Sequence, residues 1–247
     1  MKNLLIILII TISIDSTYGQ AKKDKTIELL SDNQGWYEGS IMLSDGEELK
    51  GLVKYNDRNG VLAMHNGVDS RPFSARNVIA FEFFDESLQI QRLFYTLEYE
   101  DPITNVKRPQ YFEVLRDYKT FVILIKADPI EVSEKAKHSF LGDTYNNPAN
   151  AKVTLEVSQT ETVYILNEKG DIMPYFQVIN IEDGDKSFLA IDNSRTKNKM
   201  VDKDLLAEYV TTPVFEKLES YAKENDLKFK RKQDFLKILT YYDSIRK

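Results

Sequence analysis

The chain has 247 residues, no cysteine, two histidines, 42% apolar residues and a formal net charge of −6. The lack of cysteine excludes disulfide bridges and thiolate chemistry, so a stable fold has to depend on its apolar core. An acidic balance disfavours general nucleic-acid binding, whose affinity comes mainly from neutralising phosphates. The composition therefore predicts a globular protein without a nucleic-acid partner, in one large β domain or two smaller ones.

The first nineteen residues have the pattern of a secretory signal peptide. Lys2 supplies the positive charge, residues 4–14 form an apolar run, and small residues precede a cleavage point between Gly19 and Gln20. The run is well short of the about 20 residues that a membrane-spanning helix needs, which argues against an uncleaved anchor. We therefore predict a signal peptide over 1–19 and an exported, periplasmic or extracellular protein.

The mature chain begins with a flexible leader over 20–35, and from residue 36 apolar and polar residues alternate as in β-strands. Asp45-Gly46 and Asn66-Gly67 are two-residue hairpin signals, and Gly51 inside a strand suggests a bulge or a sharp bend. Short strands joined by tight turns predict a small closed or nearly closed barrel. The predicted strands of this unit cover residues 36–44, 47–56, 61–65, 70–74 and 77–85.

The rest of the chain is predicted to continue as antiparallel strands and to end in helices. Thr212-Pro213 is a helix start signal, and Asp202 to Val210 has the pattern of a short helix. The fold class is therefore α+β, mainly β, with an N-terminal barrel-like unit, further antiparallel strands and two or three C-terminal helices. The predicted regions are β structure over 36–128, a mobile loop over 129–151, further β-strands over 152–192, a polar linker over 192–200 and a helical segment over 202–247.

Two resemblances are carried by these residues. The segments IMLSDGEELKGLVKYND, VLAMHNG and VIAFEF, between Ile41 and Phe84, resemble the Sm-like small barrel, whose members bind RNA. Arg76 is followed by Asn77 where that family has a glycine, so the resemblance implies the barrel and no RNA site. The mature chain as a whole resembles exported proteins of unknown function from Bacteroidota, with strands such as YFEVLRDYKTFVIL and a helical end such as LESYAKENDLKFKRKQDFLKILTYYDSI. This second resemblance implies export from a Gram-negative cell and brings no activity with it.

Glu82 is the carboxylate that the sequence singles out, because it interrupts the apolar strand NVIAFEFFD. A carboxylate among apolar residues is costly unless it is paired, and Arg92, Arg76 and Arg71 are candidate partners. One interpretation is a pocket acid of a carboxylate-based hydrolase acting on glycans or peptides. The other is a structural ion pair or a residue at the barrel rim.

A basic cluster near the C-terminus is the second candidate site, formed by Lys228, Lys230, Arg231 and Lys232. Such a cluster can contact lipid headgroups or another polyanion, which would make the chain a peripheral membrane-surface protein. The alternative is a solvated linker that balances an acidic body. Positive charge at the start of a helix is unfavourable, which favours a functional reason for it.

The two histidines, His65 and His138, lack the spacing of a metal site, and no nucleotide or nucleophile motif is present. We therefore predict no cofactor and no metal. The leading hypothesis is a non-enzymatic binding or scaffolding module of the cell envelope, with an envelope protein or a glycan as partner. The hydrolase and the membrane-surface protein are its alternatives.

Overall fold

Twelve antiparallel strands form one sheet, and two helices follow it in the chain, within the residues that the computed structural model describes. The predicted class, α+β and mainly β, is confirmed. The described residues are 35–57, 60–100, 105–128, 131–137, 152–185 and 193–246. The predicted signal peptide, its cleavage point at Gly19 and Gln20, and nearly all of the predicted leader lie outside these ranges.

The strands keep chain order except where β5 lies between β1 and β6, so the sheet runs β12-β11-β10-β8-β7-β6-β5-β1-β2-β3-β4, with β9 also paired to β10. The bounds are β1 Tyr37–Leu43, β2 Glu48–Asn56, β3 Val61–His65, β4 Ser70–Phe73, β5 Val78–Asp85, β6 Ile90–Glu100, β7 Lys107–Asp117, β8 Phe121–Ala127, β9 Glu131–Lys137, β10 Lys152–Asn167, β11 Ile172–Asp185 and β12 Asn193–Met200. Short 3₁₀ turns cover Ala75–Asn77 and Leu205–Glu208, and the helices are α1 Thr212–Glu224 and α2 Lys232–Ile245.

The first seven strands enclose one apolar core. Both predicted turns join antiparallel strands, and Gly46 and Gly67 adopt positive φ angles of 90° and 93° that side-chain-bearing residues rarely adopt. The first is not the predicted two-residue turn, because the N–H of Leu43 donates to the carbonyl of Glu47 and leaves residues 44–46 in the loop. The predicted barrel is incomplete among the described strands: the ladder ends at β4, and the 3₁₀ turn at Ala75–Asn77 lies against β7. The buried members of this core are Ile41, Leu43, Val53, Leu62, Met64, Val78, Phe81, Phe83, Phe94 and Tyr111.

Glycine allows the curved strands of this core to approach one another. A Cβ on Gly39 would lie 2.1 Å from the carbonyl oxygen of Glu82, and a Cβ on Gly51 would lie 2.7 Å from that of His65. Gly51 pairs in regular register with Gly39, so the bulge predicted there is absent and close backbone approach is the reason for the glycine. Tyr55, near the end of β2, packs against the first core, with its ring centre 4.9 Å from that of Phe94.

The second core lies on the same face of the sheet and is covered by the helices. The strand register shows that the two cores share a face: Glu113 is paired with Phe94 of the first core on one side and with Ile125 of the second on the other, and directly paired residues point to the same face. The helices bury the apolar stripe predicted for α2, with Phe235, Ile238 and Leu239 fully buried. Helix α1 begins at Thr212 with proline in its first turn, as its start signal predicts.

Three predicted assignments are wrong, and two of them concern polar segments. Residues 131–137, assigned to a mobile loop, form β9, and residues 193–200, assigned to a linker, form β12. Both pair through backbone hydrogen bonds with a long neighbouring strand, so their sequences need no apolar alternation. The helix predicted over 202–210 is a 3₁₀ turn at Leu205–Glu208. Residues 138–150 of the predicted loop lie outside the described residues.

Candidate functional site

A small polar cleft lies between the two cores, on the face of the sheet that both of them share. Arg92 is at its centre: Nε and Nη2 donate to the two carboxylate oxygens of Glu113, both at 2.8 Å. Nη1 is 3.8 Å from Oδ2 of Asp85, and the guanidinium lies over the rings of Phe83 and Phe94 at 5.4 and 5.1 Å. Burial lowers the pKa of Arg92, but the hydrogen bond and charge of Glu113 outweigh it and hold the pKa above its ordinary value.

A second ion pair closes the cleft from the helical side. Nζ of Lys232 lies 3.1 and 3.0 Å from the carboxylate oxygens of Glu161 on β10. Of the predicted site residues, Arg92 lines the cleft itself, whereas Lys232 is bound to Glu161, which lines it. Both are held by carboxylates, as expected for structural ion pairs that bury charge between packed elements.

Two tyrosines line the same cleft. Burial, and next the charge of Asp57, raises the pKa of Tyr55 to about 12. Burial also raises the pKa of Tyr111, whose side chain is only 6% exposed and whose hydroxyl has no hydrogen-bond partner within the described residues. The cavity among these groups measures about 20 Å³, room for about one water molecule. The cleft is thus a packed polar junction rather than a substrate pocket.

Glu82 does not join this cleft. It pairs in register with Leu93, whereas its neighbour Phe83 pairs with Arg92, so Glu82 and Arg92 are on opposite faces of the sheet. The predicted partnership of Glu82 with Arg92 is therefore wrong, and Glu113 takes that place. Glu82 is half-buried and has no ion pair within the described residues. Glu113 could not be predicted as the partner of Arg92 from the sequence, because its position opposite Phe94 depends on the register between β6 and β7.

A wider groove lies at the other end of β5 and contains the third predicted residue, Arg76. Its volume is about 390 Å³ and it is open to solvent. The groove combines a cation, a carboxylate and a hydroxyl with aliphatic side chains, and Ile79 is 47% exposed on its wall. Its lining residues are Ala75, Arg76, Val78, Ile79, Thr96, Glu98 and Pro109.

A β-bulge produces this groove. Met42 pairs with Ala80 and Leu43 with Val78, so Ile79 is an additional residue in β5 relative to β1. The ladder between β5 and β6 ends at Ala80–Tyr95, although β6 continues to Glu100. The bulge thus turns the start of β5 away from β6, and the space between the two strands is the groove.

The basic cluster is divided between paired and exposed residues. Lys232 binds Glu161 as described, and Nη1 of Arg231 lies 3.9 Å from Oδ2 of Asp234. Lys228 and Lys230 are exposed and have no side-chain ion pair within the described residues. Two of the four cations are thus paired with carboxylates, and the other two extend into solvent.

The histidines and the described helices give no further candidate site within the described residues. Nδ1 of His65 is 3.3 Å from Oγ of Ser70, and His138 lies outside the described residues. Within the described ranges no group of three or more potential ligands is arranged to hold a metal ion. None of the helices described combines the length and apolar character that a transmembrane helix needs.

A scan against protein-family models and searches of curated proteins and of solved structures found no match to this chain.

Proposed function

We propose that this chain is a non-enzymatic, exported binding module of the cell envelope, and that the groove beside β5 is its binding surface. The observation that carries the proposal is the groove, an opening of about 390 Å³ that combines the exposed aliphatic side chain of Ile79 with the charged residues Arg76 and Glu98. Concave surfaces with an apolar lining and a few polar groups are the common form of binding sites.

The polar cleft argues against the hydrolase alternative. Its carboxylates Glu113 and Glu161 are each engaged by a cation at 2.8 to 3.1 Å, and the space between them is about that of one water molecule. A hydrolase acting through two carboxyl groups has to place a substrate between them. Opening the cleft for this would require breaking two ion pairs.

Site-specific photocrosslinking in the organism that encodes the chain tests the proposal. A photoreactive phenylalanine derivative is placed at position 79 on the groove wall, or at position 201, where Val201 is 44% exposed at the end of β12. We expect one discrete envelope component to be crosslinked from position 79 and not from position 201. The charge reversal Arg76→Glu, in the chain that carries the probe at position 79, should reduce that product.

Equal crosslinking from both positions, or none from position 79, would contradict the assignment. If the crosslink persists after Arg76→Glu, the partner is bound near position 79 without the contact to Arg76. The groove would then not be the surface that recognises the partner. A fold control is needed for each variant, and the urea midpoint of unfolding supplies it.

A further inference from the structure

We infer that the groove takes an extended polypeptide segment, which adds as a strand beside Thr96 and Glu98 of β6. This inference rests on the proposed function and names the class of partner. An envelope protein and a glycan are the two partner classes compatible with the sequence, and the groove favours the first.

The sheet register supplies the main argument. On one side β6 is paired with β7 as far as Glu100–Lys107, whereas on the other side its ladder with β5 stops at Ala80–Tyr95. From Thr96 onward β6 therefore faces the groove without a strand partner on that side, among the described strands. An added strand makes main-chain hydrogen bonds with such an edge, which is a recurring mode of peptide recognition.

Side chains around this edge favour a polypeptide. Oγ1 of Thr96 is buried beside the groove and has no hydrogen-bond partner within the described residues, so this part of β6 holds a polar group that the fold itself leaves unsatisfied. Ile79, 47% exposed, offers aliphatic contact for a side chain of the added strand, above the buried Val78. Arg76 and Glu98, of opposite charge, complement an acidic and a basic residue of the segment. None of the seven residues that line the groove is aromatic, whereas stacking a sugar ring requires an aromatic face.

Panning a library of random dodecapeptides against the full chain provides a defined probe. The selected peptide is then synthesised in two further forms, each N-methylated at alternate residues, with the odd positions methylated in one and the even positions in the other. Because only every second residue of a strand directs its N–H toward a given neighbour, one form should bind about tenfold more weakly and the other nearly as well as the parent. The measurement is the Kd by titration calorimetry.

Two variants of the chain locate the site. Ile79→Glu places a charge against the aliphatic contact and should weaken binding about tenfold, whereas Val201→Glu, at a residue of similar exposure, should leave the Kd within about twofold. Because both side chains are about half exposed, neither change is expected to prevent folding.

Deletion of Ile79 is the sharper variant. It removes the bulge and keeps the register, since Val78 and Ala80 already pair with the consecutive residues Leu43 and Met42. Val78 also stays on the core side, because directly adjacent residues of a strand point to opposite faces. We expect the chain with this deletion to unfold at a similar urea concentration and to lose peptide binding.

Each remaining outcome decides the inference. If no peptide is selected, if both methylated forms bind alike, or if binding survives Ile79→Glu, strand addition at this edge is wrong. A crosslink from position 79 to a glycan would then leave the proposed function standing and overturn only the peptide assignment. Failure of the crosslink together with failure of the panning would overturn both.

Discussion

Removal of one partner from the Arg92–Glu113 pair should destabilise the fold more than removal of both. The pair has two charge-assisted hydrogen bonds of 2.8 Å, and its side chains are only 19% and 13% exposed. Glu113→Gln weakens one of these bonds and removes the negative charge, whereas Arg92→Met leaves the carboxylate of Glu113 facing apolar rings. The double replacement Arg92→Met with Glu113→Leu leaves neither charge behind.

The magnitude follows from the geometry. A hydrogen bond to a charged group contributes about 1.5–3 kcal/mol, and a broken buried ion pair costs about 3–5 kcal/mol. Residual exposure allows water to replace part of the lost contact, so we expect about 2 kcal/mol for Glu113→Gln and about 3 kcal/mol for Arg92→Met. Asp85 keeps its hydrogen bonds from Ser87 and Leu88, so it adds little to either cost. The double replacement should cost less than either single one, about 1 kcal/mol.

Urea unfolding followed by circular dichroism measures these differences, with Glu48→Gln as the matched control. Glu48 pairs with Lys50 at 3.5 Å on the surface, where the side chains are 40% and 75% exposed, and its loss should change the free energy of unfolding by less than about 0.5 kcal/mol. If the double replacement costs more than either single one, removing both charges does not relieve the loss and the reasoning is refuted.

Three further predictions concern titration, packing and backbone approach. Tyr55 has a folded-state pKa of about 12 against an ordinary 10, so as the pH rises the unfolded chain loses this proton first. The free energy of unfolding should therefore fall between pH 10 and about pH 12, and Tyr55→Phe should make that fall smaller in urea titrations. Phe235→Ala empties a fully buried site between two aromatic rings and should cost about 3–5 kcal/mol by thermal or urea unfolding, against less than about 1 kcal/mol for the exposed Phe84→Ala. Gly39→Ala drives a Cβ into backbone and should cost more than Gly46→Ala, which meets no atom within 4 Å and has only its positive φ to overcome; equal costs would show that close approach is not the reason for Gly39.

Local chemistry made much of the fold predictable. The hairpin signals Asp45-Gly46 and Asn66-Gly67, the Thr212-Pro213 helix start and the spacing of Phe235 with Ile238 each depend on neighbours within a few residues. The segments that form β9 and β12 could not be found in this way. Each is held by the backbone of a long adjacent strand, and its own side chains carry no alternation.

The sites were less predictable, because they depend on register between distant strands. The charge of Arg92 makes it recognisable in the sequence as a candidate. Its pairing with Glu113 depends on the register between β6 and β7, which are separated by a connection of several residues. The groove depends on one additional residue, Ile79, whose bulge is visible only when β5 is aligned with β1. Composition identifies charged residues but does not say which face of the sheet they occupy.

The two depressions differ in what a ligand would have to displace. In the cleft, Arg92 and Lys232 are already bound by carboxylates, so a ligand would have to break charge-assisted bonds before making its own. In the groove, Ile79 already faces solvent and no ion pair of Arg76 or Glu98 is present within the described residues, so a ligand would add contacts there without breaking such a bond. A bulge that separates β5 from β6 at this point leaves β6 without a strand neighbour on the β5 side among the described strands, a conformation that central strands of a sheet normally avoid. Retaining it beside an exposed aliphatic wall is more consistent with a surface that receives another chain than with a packing defect.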